Sequence, residues 1–154
     1  MPQIDQVLAR HGVVLPIPPA PAGSYVPVVI SGSTAYVSGQ IPMESGKIVS
    51  KGKLGRDVSL EAGQQAARLC CINALAQLKA ATGSLDRIAR VVKVTGYVNS
   101  DPQFTDQPKV VNGASDFLVE IFGDKGRHAR SAVGVSSLPF DSSVELELVV
   151  ELGA

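Results

Sequence analysis

Residues 144–151, VELELVVE, constrain this chain more than any other stretch. In an extended strand, successive side chains point to opposite faces. Val144, Leu146, Leu148 and Val150 therefore share one face, and Glu145, Glu147, Val149 and Glu151 share the other. Such a strand fits a sheet that is covered by apolar packing on one side. Its carboxylates go to solvent, unless a second molecule lies over them.

The rest of the chain supplies the cover. Residues 59–81 are predicted as the main helix. Ser59 suits the N-cap, Glu61 the positive end of the dipole, and Gly83 the stop. A second helix is predicted from Pro108 to Phe122, stopped by Gly123, with Val110, Val111, Ala114, Phe117, Leu118 and Ile121 as its buried stripe. Strands are predicted at Ser24–Ile30 and Thr34–Ser38 around the turn Ser31-Gly32-Ser33. Further strands are expected at Lys47–Ser50, Ile88–Val98, Ser131–Ser136 and Val144–Glu151. The order β-β-β-α-β-α-β-β predicts an α+β fold, a single mixed β-sheet with two helices on one face. The other face needs its own cover, for which a partner subunit is the natural choice.

Ahead of this, residues 2–10 read as a short helix stopped by Gly12. A proline-rich connector, Leu15–Gly23 with PIPPAP, is expected to run extended over the surface. The division is thus an N-terminal helix and connector at 1–22 and one folded domain at 23–152.

Lys+Arg and Asp+Glu number 14 each, so the formal net charge is zero; no basic excess points to a polyanion. Trp is absent and aromatic content is 5%, which leaves little for stacking bases and argues against nucleic acid as a partner. No apolar run approaches the roughly 20 residues that span a bilayer, and the N-terminus lacks the apolar core of a secretory signal. Cys70 and Cys71, neighbours on a helix, diverge by about 100° and read as core fillers in a reducing cytoplasm. No phosphate loop, dinucleotide fingerprint or metal-ligand spacing is present in the sequence, so no metal or organic cofactor is expected.

Arg130 is the first candidate for chemistry. A guanidinium at the edge of an apolar strand grips both oxygens of a small carboxylate; the alternative is a surface ion pair. Glu145, Glu147 and Glu151 come next. They form either a solvated face or, under a second subunit, a restricted site where a glutamate orients water. Tyr25 is a packing residue or a cleft wall. Gly39 is a strand end or a place where a ligand approaches the backbone. His11 and His128 read as isolated surface histidines with no Ser-His pair.

Four segments together resemble the RidA (YjgF/YER057c/UK114) family: GSYVPVV at 23–29, YVSGQIP at 36–42, ARSAVGVSSLP at 129–139 and VELELVVE at 144–151. The resemblance covers about residues 20–152. It implies a chorismate-mutase-like homotrimer with clefts between subunits. It also implies cofactor-free hydrolysis of small enamines and imines, of the 2-aminoacrylate and 2-iminobutyrate type, to 2-keto acids and ammonia. Under it, Arg130 binds the substrate carboxylate, Glu145 holds the attacking water and Tyr25 lines the pocket. Backbone groups near Gly39 and Ala132 contact substrate or water. The alternatives are a trimer that binds small carboxylates without turnover and, less well supported, the endoribonuclease L-PSP activity long attached to the family. The chain departs from the pattern at His128, where proline is usual. Ala132 stands where some members have cysteine, Asn112 falls about one position off, and the 99–108 loop and N-terminus are longer.

Overall fold

The computed structural model describes residues 3–20 and 23–154. Pro2, from the expected first helix, and Pro21 and Ala22, from the connector, lie outside the described residues. The elements are α1 (Gln3–Arg10), β1 (Val28–Ser31), β2 (Thr34–Gln40), β3 (Met43–Glu44), β4 (Lys47–Ile48), α2 (Leu60–Thr82), β5 (Ile88–Asn99), α3 (Gln107–Phe122), β6 (Ala129–Val135) and β7 (Val144–Leu152).

Five strands form the main sheet in the order β1-β2-β7-β5-β6. β7 runs antiparallel to both β2 and β5, whereas β5 and β6 are parallel. A parallel pair needs a crossover, and α3 provides it between β5 and β6. α2 links β2 to β5 and so passes over β7, which occupies the gap between them. The alternation in β7 appears as predicted. Val144, Leu146, Leu148, Val150 and Leu152 are buried, while Glu145, Glu147 and Val149 are half-buried and Glu151 is exposed.

α2 is capped as its sequence implies. Ser59 Oγ accepts the Ala62 N–H at 3.1 Å, and Gly83 (φ 85°) donates its N–H to Lys79 O at 2.8 Å. Ala66, Ala67, Cys70, Cys71, Ala74, Leu75 and Leu78 form its buried face. Both cysteines are free and fully buried, and burial pushes the Cys71 thiol up to about 12. These small side chains let α2 lie close to the sheet. Contact with α3 is tighter still: a Cβ at Gly113 would lie 2.1 Å from the Gln64 carbonyl oxygen.

Three expectations about strands need correction. The third strand shrinks to β4, Lys47–Ile48, paired only with β3 in a separate two-stranded hairpin; Ser45 and Gly46, both at positive φ, make its two-residue turn, and the ladder stops where the Val49 N–H meets the carbonyl of Pro42, which has no N–H to give in return. The first strand begins at Val28 rather than Ser24, because Pro27 has no N–H to give a ladder. β6 begins at Ala129, two residues early, which places Arg130 inside the strand.

The N-terminal segment is tied to the domain. Leu8 and Val13 belong to the common core, Asp86 accepts the Gln3 and Ile4 N–H groups at 2.9 Å each, and Lys79 pairs with Asp5 at 3.0 Å. Across the sheet from the helices, Val29, Tyr36 and Val133 are 49%, 50% and 43% exposed. That face mixes these apolar side chains with Glu145, Glu147 and Glu151 and is uncovered in the single chain.

Candidate functional site

Strand register decides which face each candidate occupies. Arg130 pairs with Val94 and Ala132 with Gly96. Val94 is fully buried under the helices, so Arg130 and Ala132 belong to the helix-covered face. There the Arg130 Nη1 donates to Asn112 Oδ1 at 2.7 Å and to Ser115 Oγ at 3.2 Å. Asn112 and Ser115 are three residues apart on α3 and therefore side by side. Among the described residues, the hydrogen bonds of Arg130 all pass through Nη1. Nε and Nη2 have no protein partner, and that pair forms the fork that takes a carboxylate in bidentate fashion.

His128 is not isolated. Its Nε2 lies 2.9 Å from Ser115 Oγ, and its Nδ1 donates to the Gly126 carbonyl at 2.6 Å. The Ser-His pair escaped the sequence reading because its members come from a helix and from the turn 13 residues later. Asn112, one position out of the family pattern, is nonetheless the nearer of the two α3 contacts to Arg130.

Glu145 occupies the other face. It pairs with Tyr97, whereas its neighbour Val144 pairs with Val98 in the core. Its carboxylate lies over Gly39, at the register shift between Val37 and Gln40. A Cβ on Gly39 would stand 2.8 Å from Glu145 Oε2. Gly39 is thus a bulge residue whose missing side chain makes room for the carboxylate. Partial burial, and secondarily the nearby charge of Glu147, raises the Glu145 pKa above the ordinary carboxylate value. Glu147 is engaged elsewhere: its Oε1 accepts the Tyr97 hydroxyl at 2.7 Å. That bond, ahead of desolvation, pushes the Tyr97 hydroxyl up to about 12.

The candidates therefore fall into two groups within one chain. Arg130 and Ala132 lie on the helix-covered face, and Glu145 and Gly39 on the open face. Tyr25 is 58% exposed in the extended segment before β1, and no hydrogen bond among the described residues joins it to either group. Two surface concavities, one between α2 and α3 and one beside the N-terminal segment, include neither Arg130 nor Glu145. Among the described residues, no three His, Cys, Asp or Glu side chains gather as metal ligands, and no helix is long and apolar enough to cross a membrane.

The family described as "YjgF/chorismate mutase-like, putative endoribonuclease" matches residues 5–152. The chain belongs to this family. Among its relatives, protein TCP17 of Trypanosoma cruzi is 48% identical over 94% of this chain and 91% of its own length. The 2-iminobutanoate/2-iminopropanoate deaminase of Dermatophagoides farinae is 30% identical over 88% and 91%. Two solved structures carry the same fold. The Agrobacterium tumefaciens protein Atu1372, of unknown function, superimposes with a TM-score of 0.92 at 50% identity, covering 97% of this chain and 92% of its own. E. coli TdcF with bound serine superimposes with 0.66 at 27% identity, covering 89% and 94%. The YjgF/chorismate mutase-like assignment agrees with the mixed α+β architecture, and it groups the chain with proteins named as deaminases and as endoribonucleases.

Proposed function

We propose that the chain catalyses cofactor-independent hydrolysis of small enamines and imines, of the 2-aminoacrylate and 2-iminobutyrate type, to 2-keto acids and ammonia. The site lies between copies in a homotrimer, with Arg130 from one protomer and Glu145 from its partner. The carrying observation is the division of the candidates between two sheet faces. A carboxylate fork and a carboxylate of raised pKa are each half of a site, and only a second copy can complete it. The exposed apolar side chains Val29, Tyr36 and Val133 on the uncovered face support such an assembly. A deaminase among the relatives, and a family structure holding a small amino acid, support the substrate class.

The chemistry asks little of the protein. An imine carbon beside a carboxylate is already electrophilic, so fixing it against water supplies much of the rate. Arg130 holds the substrate carboxylate through Nε–H and Nη2–H. Glu145 accepts a proton from water as the water oxygen bonds to C2, and the C=N electron pair goes to nitrogen, which is protonated. Glu145, having returned its first proton to nitrogen, takes the hydroxyl proton of the resulting carbinolamine and passes it to the amine; the C–N bond breaks, and ammonia departs as the C=O bond forms. A 2-aminoacrylate first takes a proton at C3 and gives one up from nitrogen to become the imine. Raising the Glu145 pKa toward neutrality improves it as the proton acceptor. Tyr25 lines the cleft mouth, and backbone groups at Gly39 and Ala132 contact water or substrate.

The test measures keto acid and ammonia released above the spontaneous rate. Arg130→Ala and Glu145→Gln should each be inactive as homo-oligomers. Mixing them through a dissociation and reassembly step should restore part of the activity, because some hybrid sites then hold both native residues. Recovery of none, with hybrids demonstrated by native mass spectrometry, would refute the shared site; an active Arg130→Ala would refute the clamp.

A further inference from the structure

The side chains behind Arg130 form one directed chain of hydrogen bonds. The Gly126 carbonyl only accepts, so the proton on His128 sits at Nδ1. Nε2 is then a lone-pair acceptor, and the Ser115 hydroxyl 2.9 Å away donates to it. With its hydrogen committed there, Ser115 Oγ presents lone pairs to the Arg130 Nη1–H at 3.2 Å. A serine in mid-helix more often turns its hydrogen back to the carbonyl four residues earlier; here His128 takes it. The far end of the chain is firmly seated. Gly126 is buried against α3, so closely that a Cβ would lie 2.3 Å from the Leu118 carbonyl oxygen.

We infer that His128, acting through Ser115, is a positioning residue that holds the Arg130 guanidinium with its Nε–Nη2 edge ready for a carboxylate. The inference rests on the carboxylate-clamp reading of Arg130. An arginine side chain has several rotatable bonds, and ordering it on binding reduces affinity. Asn112 fixes one direction at Nη1, and Ser115 fixes the second, its lone pairs oriented toward Nη1 by the donation of its hydrogen to His128.

The test titrates the full-length protein with 2-oxobutanoate by calorimetry and follows 2-iminobutanoate hydrolysis. Ser115→Ala and His128→Phe should each weaken 2-oxobutanoate binding roughly tenfold, as expected when a rotamer-rich side chain must be ordered on binding. KM should rise while kcat stays within about twofold, because the carboxylate is held alike in the ground and transition states. The double variant should be no worse than the weaker single one, since both break the same chain. His128→Gln, whose amide oxygen reaches the place of Nε2, should restore binding. Additive losses, or a Gln variant as weak as Phe, would overturn the inference. If Arg130→Ala abolishes binding while Ser115→Ala and His128→Phe leave it intact, the clamp stands and the positioning role falls. Should wild type not bind 2-oxobutanoate, the clamp falls and nitrogen NMR judges the relay: Ser115→Ala must move the His128 Nε2 signal and leave His11 unchanged, and an unmoved signal overturns it.

Discussion

Gly39→Ala separates the placement of Glu145 from the stability of the fold. The glycine is exposed and its φ lies outside the left-handed region, so alanine meets no backbone strain. What it meets is Glu145: the new Cβ would stand 2.8 Å from Oε2 and 2.9 Å from Cδ. Relief requires the carboxylate to move by roughly 0.5 Å, and a flexible side chain on an open face can do so at little cost. A misplacement of about 1 Å in a reacting group can lower the rate some hundredfold, so about half that shift should lower kcat on the order of tenfold. The Arg130 guanidinium is held separately, by Asn112 and Ser115, so KM should hold within about twofold. The Tm should change by no more than a few degrees, since a compatible Gly→Ala exchange stabilises by about 0.4–1 kcal/mol through the unfolded chain. Steady-state kinetics with 2-iminobutanoate and a thermal melt suffice. An unchanged kcat would show that the Gly39–Glu145 approach has no part in turnover, and a collapse in Tm would make Gly39 a structural residue alone.

Glu147→Gln should shift the acidic limb of the pH–rate profile downward. The charge of Glu147 is the second cause holding the Glu145 pKa up, so removing it lets Glu145 ionise at lower pH and extends activity to more acid conditions; a limb that stays put would mean another group is the base. Gly113→Ala should destabilise the protein by about 2 kcal/mol or more, read as a Tm drop of roughly 5 °C, because its Cβ would meet the Gln64 backbone at 2.1 Å and force α2 and α3 apart. A wild-type melting curve for that variant would show that the helices are not in the close contact described.

Much of this architecture is legible from short-range pattern. The alternation at 144–151 identifies β7 and its buried face, and the Ser59 and Gly83 caps bound α2, because each depends on neighbours a few residues away. Arg130 stands out as a fork on an apolar strand, and Glu145 as a carboxylate on the outer face. What the pattern does not carry is distance across the chain. The Ser115–His128 bond depends on how the turn at Gly126 seats on α3, and the crowding of Gly39 by Glu145 depends on the register of β2 against β7. The reduced β3–β4 hairpin was obscured by the β-compatible residues at 47–50, which look like a longer strand until Pro42, with no N–H to give, is known to face them.

The position of β7 bears on how the molecule comes into being. The strand that joins the two halves of the sheet follows every other element in the sequence. Until residues 144–152 leave the ribosome, β2 and β5 have no strand between them, and α2 bridges an empty slot. Each half exposes a sticky edge during that interval, and long-range pairing of this kind is slow. The sheet therefore closes last, and a chain cut short before residue 144 holds two unjoined halves rather than a slightly trimmed protein.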